Sequence, residues 1–253
     1  MLSRYWDKEY TRYVEPFAGS ACLFFGLQPQ HALLGDINKE LIATYREVKE
    51  RVDLVIEALH EHKRGRDEYT RLRDADLACI TDPCRAARFI YLNRFCFNGL
   101  YRTNRSGRFN VPYGGDKAGN VPSDKALREC SEMLQKADLI SGDFADTLES
   151  VREGDFVYMD PPFAVSSRRV FSEYDSAVFG WKEVQHLRAY MDMLALLDIP
   201  FLVSYAECEE ARFLLRGFHT QTVTVRRNIA GFAAKRVLSR ELLISNRRPR
   251  VME

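Results

Sequence analysis

The residues best suited to chemistry in this sequence are Asp160-Pro161-Pro162-Phe163, which directly follow the apolar run 156–159. Because proline lacks an amide hydrogen, the Asp160 carboxylate and the Pro161 carbonyl can point outward as acceptors without a competing donor beside them. Phe163 adds a flat apolar face. Two acceptors near an aromatic ring suit a planar group with an exocyclic amine, and a nucleobase fits that description.

This arrangement favours the transfer of a methyl group from a sulfonium to such an amine. The lone pair of a nucleobase amine is delocalised into the ring, and hydrogen bonds from both N–H groups to fixed acceptors favour its pyramidal form. Since the nitrogen becomes positive during the transfer, the same acceptors bind the transition state better than the ground state. For these residues alone, the alternative is a strand that simply ends at a proline pair.

Two earlier stretches are predicted to bring further groups to the same place. A short strand at 13–15 passes through the small-residue turn 16–21 into an apolar helix, and Gly19 lets the backbone there approach a ligand. A second strand ends at Asp36, about 20 residues after the turn, the spacing at which a carboxylate meets ribose hydroxyls in nucleotide-binding units. The structural alternatives are a plain tight turn and a helix N-cap at Asp36 or Asn38.

A third strand is predicted to end at Asp143 and Phe144. In a doubly wound sheet the ends at Asp36, Asp143 and Asp160 lie on one edge, which is where such sheets bind ligands. The remaining elements complete an α/β core. They are a helix at 180–197, a strand at 201–205, a helix at 207–216, and a strand pair at 219–226 and 237–245.

The middle of the chain is predicted to be mostly helical, with a β-hairpin over 98–114 that turns near Ser106-Gly107. This hairpin interleaves arginines with aromatic residues and contains no acid, which suits phosphate contact and the reading of base edges. The loop 226–236 is basic as well and is a second candidate phosphate contact. An ordinary exposed hairpin and a solvated hairpin tip are the alternatives.

Composition limits the class of protein. With 253 residues, 46% hydrophobic and 29% charged, the chain is globular rather than disordered. Its net charge of +1 means that any nucleic-acid surface must come from local clustering. Six cysteines without a C-x-x-C pair, and no run of eighteen apolar residues, predict a soluble cytoplasmic protein with reduced thiols and no structural zinc.

Five segments, taken together and in order, closely resemble the Dam-like DNA adenine-N6 methyltransferases, the D12 class. The resemblance runs from about residue 13 to 246, and the NGLYR and RFNVPYG pieces at 98–102 and 108–114 are specific to that family. The five segments are 15–20, 35–38, 93–102, 107–114 and 160–163.

This resemblance implies an α/β, Rossmann-like S-adenosylmethionine-dependent methyltransferase sheet with a mostly helical target-recognition insertion that carries the β-hairpin. Residues 1–50 and 138–253 would form the catalytic domain, and residues 51–137 the DNA-binding insertion. The implied reaction moves a methyl group from S-adenosylmethionine to N6 of a flipped adenine in double-stranded DNA, without a metal and with GATC as the family's site. We expect a monomer or weak dimer in the cytoplasm of a bacterial or phage-infected cell.

The resemblance also implies roles for individual residues. The target adenine would be received by Asp160, Pro161, Pro162 and Phe163. The cofactor-binding residues would be Glu15, Phe17, Gly19, Ser20, Asp36, Ile37, Asp143, Phe144 and Asp160. The DNA-binding residues implied by the resemblance are Phe97, Asn98, Leu100, Arg102 and Pro112. The donor-rich hairpin and the basic loop add Arg105, Asn110, Arg226 and Arg227 as predicted DNA contacts.

Two departures from the family pattern bear on activity. The family opens with a Lys-Trp-Ala-Gly-Gly-Lys type segment that helps bind the cofactor's carboxylate end, and no such segment precedes Tyr13. We expect weak cofactor binding, a replacement contact from Arg4, Trp6 or Lys8, or a truncated start of the sequence. The family's Phe-x-Gly-x-Gly turn ends here in Ala21, a mild change if φ is negative at that position.

These departures keep other functions open. A DNA-binding relative that has lost catalysis is one alternative, which the intact Asp160-Pro161-Pro162-Phe163 disfavours. An enzyme that keeps the chemistry but methylates RNA or a protein side-chain amide is another. The arginine-rich hairpin disfavours the protein substrate.

Overall fold

A computed structural model of the chain describes residues 2–104, 107–115, 119–162, 179–227 and 237–250. Seven strands form one sheet in the order β3-β2-β1-β4-β5-β7-β6. They are β1 (Arg12–Glu15), β2 (Ala32–Asp36), β3 (Ala137–Ser141), β4 (Asp155–Met159), β5 (Phe201–Ala206), β6 (His219–Arg227) and β7 (Val237–Ser245).

Strand β1 is the switch point of this sheet. It runs parallel to β2 on one side and to β4 on the other, with Val14 opposite both Leu33 and Val157. Strand β4 is parallel to β5, whereas β7 is antiparallel to both of its neighbours. Since the chain leaves β1 and β4 in opposite directions across the sheet, a crevice forms beyond their carboxyl ends. The predicted α/β methyltransferase sheet is confirmed.

Eight α-helices accompany the strands in the described residues. Asn38 begins the second helix as its N-cap, since its Oδ1 accepts from the amides of Glu40 and Leu41, which confirms the cap alternative for Asn38. The helices are α1 (Cys22–Leu27), α2 (Lys39–His60), α3 (Arg66–Arg73), α4 (Asp82–Phe95), α5 (Asp124–Leu134), α6 (Phe144–Leu148), α7 (Trp181–Leu196) and α8 (Glu209–Leu214). None of these described helices has the length and apolar character needed to span a bilayer.

The described residues divide into two compact units. The first contains those of 1–37, 142–169 and 177–253, and it includes every strand except β3. The second contains residues 38–141. All described residues of the predicted insertion belong to the second unit.

In the second unit, α2 packs against α4 and α5 through a buried face that includes Val48, Val55 and Ile56. The predicted hairpin follows α4, and it turns back with antiparallel bridges at Cys96–Tyr113 and Thr103–Phe109. Those bridges are isolated and form no continuous ladder in the described residues. The hairpin therefore depends on contacts with the helices for its position.

Candidate active site

A cavity of about 310 Å³ lies at the carboxyl ends of β1, β2 and β4 in the first unit. It brings together Asp36, Asp143 and Asp160, so the prediction that three strand-end carboxylates share one edge is confirmed. The lining residues are Pro16, Phe17, Gly19, Asp36, Ile37, Asp143, Phe144, Asp160, Pro162, Phe179 and Glu183.

The glycine turn is held against β2 by two hydrogen bonds. The Ala18 amide donates to the Gly35 carbonyl at 2.8 Å, and the Gly19 amide donates to Asp36 Oδ2 at 2.9 Å. Gly19 has a positive φ of 47°, a conformation that glycine adopts without a steric penalty. The turn thereby fixes the orientation of the Asp36 carboxylate at the cavity wall.

Ala21 closes the same turn, also in the left-handed region, with φ 47° and ψ 32°. A non-glycine residue there costs about 1–2 kcal/mol because its Cβ crowds the following carbonyl. The condition under which Ala21 would be a mild replacement, a negative φ, is therefore not met. The glycine of the family pattern is explained by the backbone conformation of this position.

Apolar side chains form the rest of the wall. Phe17 stacks on Phe144 with ring centroids 5.2 Å apart, and Phe179 meets Phe17 edge to face at 5.9 Å. Ile37 is 57% exposed, which is unusual for a large aliphatic side chain in a cavity wall. This surface suits a flat apolar ligand group such as a purine ring.

Phe179 and Glu183 were not predicted as site residues. Both lie at the start of α7, where Glu183 Oε2 accepts from the Gly180 amide at 2.8 Å; because glycine has no side chain, this is only one of the two bonds of a capping box. This hydrogen bond lowers the pKa of Glu183. A glutamate three residues after the cap is a sequence signal for the helix start, but it does not reveal that the helix begins at this cavity.

Glu15 is a buried acid that interacts electrostatically with two carboxylates of the cavity. It is 3% exposed, and its Oε2 accepts from the Tyr13 hydroxyl at 2.9 Å. Burial, with a smaller contribution from the nearby carboxylates of Asp160 and Asp36, raises the pKa of Glu15 to about 8, against the lowering effect of the Tyr13 bond. Glu15 is not among the described lining residues, and with a pKa of about 8 it is mostly uncharged at neutral pH, so it adds negative charge near the cavity only at higher pH.

The proline segment leaves β4 at the cavity. Asp160 and Pro162 are exposed and line the cavity, whereas Pro161 is buried. Phe163 lies outside the described residues. The burial of Tyr158 and the charge of Asp160 raise the pKa of the Tyr158 phenol, so this side chain stays neutral beside the acids.

Other predicted cofactor contacts have structural roles as well. Asp143 is the N-cap of α6, where its Oδ1 accepts from the Ala145 amide at 3.0 Å. The Asp143 amide in turn donates to Asp146 Oδ2. The Ser20 hydroxyl lies 3.2 Å from the Cys22 sulfur. Trp6, a candidate replacement contact, is half-buried and packs edge to face on the buried Tyr13 at 5.8 Å. The roles of these residues toward a cofactor stay predictions.

The predicted DNA contacts in the second unit are surface residues of the segment 97–112. Phe97 and Leu100 are 42% and 52% exposed, and Pro112 is exposed as well. Asn98 adopts a left-handed conformation with φ 60°. Arg102 donates from Nε to Asn110 Oδ1 at 2.8 Å.

The remaining basic candidates are placed differently. Arg105 and residues 228–236 lie outside the described residues. Arg226 and Arg227 were predicted at the start of a loop, but they pair with Leu238 and Val237 at the end of β6. The ladder between β6 and β7 therefore continues one residue further than the strand boundary predicted from the sequence. Among the described residues, no group of His, Cys, Asp or Glu side chains is arranged to hold a metal ion.

Comparisons with known proteins give the family. The sequence model of the D12 class N6 adenine-specific DNA methyltransferases matches residues 2–229. The chain is 32% identical over 248 residues to the type II methyltransferase M1.LlaDCHI of Lactococcus lactis subsp. cremoris, which covers 94% of this chain and 87% of that protein. It is also 32% identical over 237 residues to the retron Ec67 DNA adenine methylase of Escherichia coli, with 92% and 81% covered. A third relative, the DNA adenine methylase of Escherichia coli strain K12, is 32% identical over 236 residues, with 91% and 84% covered. Because the match spans nearly the whole chain, this protein belongs to the D12 class of N6 adenine-specific DNA methyltransferases.

Proposed function

We propose that this methyltransferase uses the cavity at the carboxyl edge of β1, β2 and β4 to bind S-adenosylmethionine and a flipped adenine of double-stranded DNA. The observation that supports this proposal is the convergence of Asp36, Asp143 and Asp160 with an apolar wall in one cavity. S-adenosylmethionine supplies an electrophilic methyl group on a positively charged sulfur. Everything else the reaction needs comes from the protein and the DNA.

The chemistry of the cavity fits this cofactor. Its carboxylates attract the sulfonium and ammonium charges, and Asp36, oriented by the Gly19 amide, is placed to accept from the ribose hydroxyls. Ile37 and Phe144 provide apolar surface for the adenine ring. Phe17 and Gly19 would then lie along the methionine end. Glu15 adds negative potential whenever it is ionised.

Asp160 and the Pro161 carbonyl would act on the target amine. By accepting its two N–H bonds, they favour the form in which the nitrogen lone pair attacks the methyl carbon. As the new C–N bond forms, the C–S bond breaks with its electron pair on sulfur, and the positive nitrogen releases one proton to solvent. Asp160 stabilises the charge that develops on the nitrogen, which is why its effect is specific to the transition state.

The adenine must leave the duplex before this can occur, because its amine is inaccessible inside the base stack. We assign target recognition to residues 51–137 and catalysis to residues 1–50 and 138–253. In the insertion, Phe97 and Asn98 would fill the gap left by the flipped base, and Leu100, Arg102 and Pro112 would read neighbouring bases. GATC is general to the family and is the proposed site.

The test uses the purified protein, tritiated S-adenosylmethionine and two DNA duplexes. One duplex contains unmethylated GATC sites, and in the other every GATC adenine already carries an N6-methyl group. We expect label only in the first. Label in both would contradict GATC while keeping the chemistry, and label in neither, from a folded protein that still binds DNA, would favour a relative that has lost catalysis.

A further inference from the structure

We propose that Asn110 is a positioning residue that holds the Arg102 guanidinium in the orientation needed to read one guanine, and that it does not read a base itself. The proposal rests on the function proposed above, since it assumes that Arg102 contacts DNA. It differs from the sequence prediction, which treats Asn110 as an independent DNA contact.

Asn110 is bonded to Arg102 through both its side chain and its backbone. Arg102 Nε donates to Asn110 Oδ1 at 2.8 Å, and Arg102 Nη2 approaches the Asn110 carbonyl at 3.5 Å. In the other direction, the Asn110 amide donates to the Arg102 carbonyl at 3.0 Å. The two residues flank the Thr103–Phe109 bridge, so they are cross-strand neighbours whose side chains share one face.

The backbone on both sides of Asn110 is fixed to the interior of the second unit. Phe109 and Val111, on either side of Asn110, are both buried. The buried Tyr69 hydroxyl donates to the Val111 carbonyl at 2.8 Å, and the Phe109 ring lies 5.6 Å from that of Tyr101. An alternating chain places Asn110 on the opposite face from these two anchors. Arg102 is therefore oriented by a residue that has itself little freedom.

The side of the guanidinium that Asn110 occupies matters for recognition. Guanine presents N7 and O6 as two acceptors, which arginine meets with two parallel N–H bonds. The bond at Nε fixes the plane of the group. The longer contact of Nη2 with the Asn110 carbonyl takes one of its two hydrogens, so the other Nη2 hydrogen and both Nη1 hydrogens can still donate to guanine. Arginine has several flexible torsions, so a preset plane reduces the entropy lost when DNA binds.

A neutral partner also preserves the charge of Arg102. An acid would hold the guanidinium at least as firmly but would cancel its charge, which supplies much of the attraction to DNA. Segment 98–114 contains no acid at all, so Arg102 keeps its full charge. Asparagine supplies the acceptor oxygen without that loss.

The experiment compares wild type with Arg102→Ala, Asn110→Ala, Asn110→Asp and the double variant Arg102→Ala/Asn110→Ala. Asn104→Ala is the matched control, because Asn104 lies in the same turn and bonds the Arg108 amide. Each protein is assayed for kcat/KM on the cognate duplex, on duplexes with one base pair changed at a time, and on a duplex with 7-deazaguanine, which lacks the N7 acceptor. The measured quantity is the discrimination ratio at each position.

We expect Arg102→Ala to lower discrimination at one G·C pair by about 10- to 100-fold. Asn110→Ala should lower it by about 3- to 10-fold at the same pair, the loss expected for one hydrogen bond. The double variant should lose no more than Arg102→Ala alone. Asn110→Asp should retain discrimination while total kcat/KM falls, and Asn104→Ala should leave every ratio unchanged.

Three results would overturn the proposal. A loss at a different base pair in Asn110→Ala would make Asn110 a direct reader. A uniform fall in activity with unchanged ratios would leave it a structural residue only. Additive losses in the double variant would show that it acts independently of Arg102. If no methyl transfer is found, the discrimination ratios are measured by equilibrium binding instead. Failure of this inference can then be distinguished from failure of the proposed reaction.

Discussion

The cavity at the sheet edge and segment 97–112, which we propose as the target-recognition segment, are built in different ways. The cavity is formed by the ends of parallel strands, so its residues are placed by the sheet itself, as Asp36 and Asp160 are by β2 and β4. The segment has only isolated bridges, and its position depends on a few side-chain contacts. This difference teaches that substitutions at the cavity should change the reaction, whereas substitutions around the segment should change which sequence is methylated.

The largest effect on the reaction is expected from Asp160→Ala. Removal of the acceptor should lower the single-turnover rate by about 10²-fold or more, because the interaction is strongest in the transition state. The fold should survive, since Asp160 is exposed beyond the end of β4. Thermal unfolding serves as the control, and the single-turnover rate is measured at saturating cofactor because Asp160 also lines the cavity. A variant with nearly wild-type turnover would remove Asp160 from the mechanism.

Glu15→Gln tests the electrostatics of the cavity through stability. The folded pKa of Glu15 is raised to about 8, above its ordinary 4.5. Below pH 4.5 Glu15 is protonated in both the folded and the unfolded state, and its contribution to the free energy of unfolding is fully present. As the pH rises toward 8, Glu15 ionises only in the unfolded state, so the folded protein loses stability. Between pH 5 and 9 the free energy of unfolding of Glu15→Gln should therefore rise by about 2–4 kcal/mol relative to that of the wild type.

Chemical denaturation at pH 5, 7 and 9 measures this difference. The matched control is Glu153→Gln, at an exposed glutamate of the same unit. If Glu15→Gln followed the same pH dependence as wild type, Glu15 would be ionised in the folded protein. The cavity would then be more acidic than its burial indicates.

Tyr69→Phe addresses the target-recognition segment. The substitution removes the hydroxyl that bonds the Val111 carbonyl and leaves a buried acceptor unpaired, at a cost of about 1–2 kcal/mol. We expect base discrimination to fall while cofactor affinity stays at the wild-type level. Equal losses of cofactor affinity and discrimination would show that the two regions do not behave separately.

The same contrast explains what the sequence could predict. The strand ends at Asp36, Asp143 and Asp160 follow from apolar runs that stop at an acid, and the sheet topology then places them together. Phe179 could not be assigned, because its contact with Phe17 joins residues far apart in sequence. The Arg102–Asn110 bond was missed for a related reason, since a hairpin pattern gives the pairing of strands but not the rotamers of polar side chains.

Ala21→Gly is the smallest expected change, and it bears on whether the departure from the family turn impairs this enzyme. Relief of the left-handed conformation is worth about 1–2 kcal/mol. Loss of the buried methyl group costs about 0.8 kcal/mol, and the more flexible unfolded chain a further 0.4–1 kcal/mol. The net change in unfolding free energy should therefore lie within about 0.8 kcal/mol of zero. Because Ala21 is buried and is not among the described lining residues, cofactor affinity should change less than about threefold, as calorimetric titration would measure. A large gain in affinity would instead mean that strain at Ala21 distorts the glycine turn, which is the weakness expected of a relative that binds DNA without methylating it.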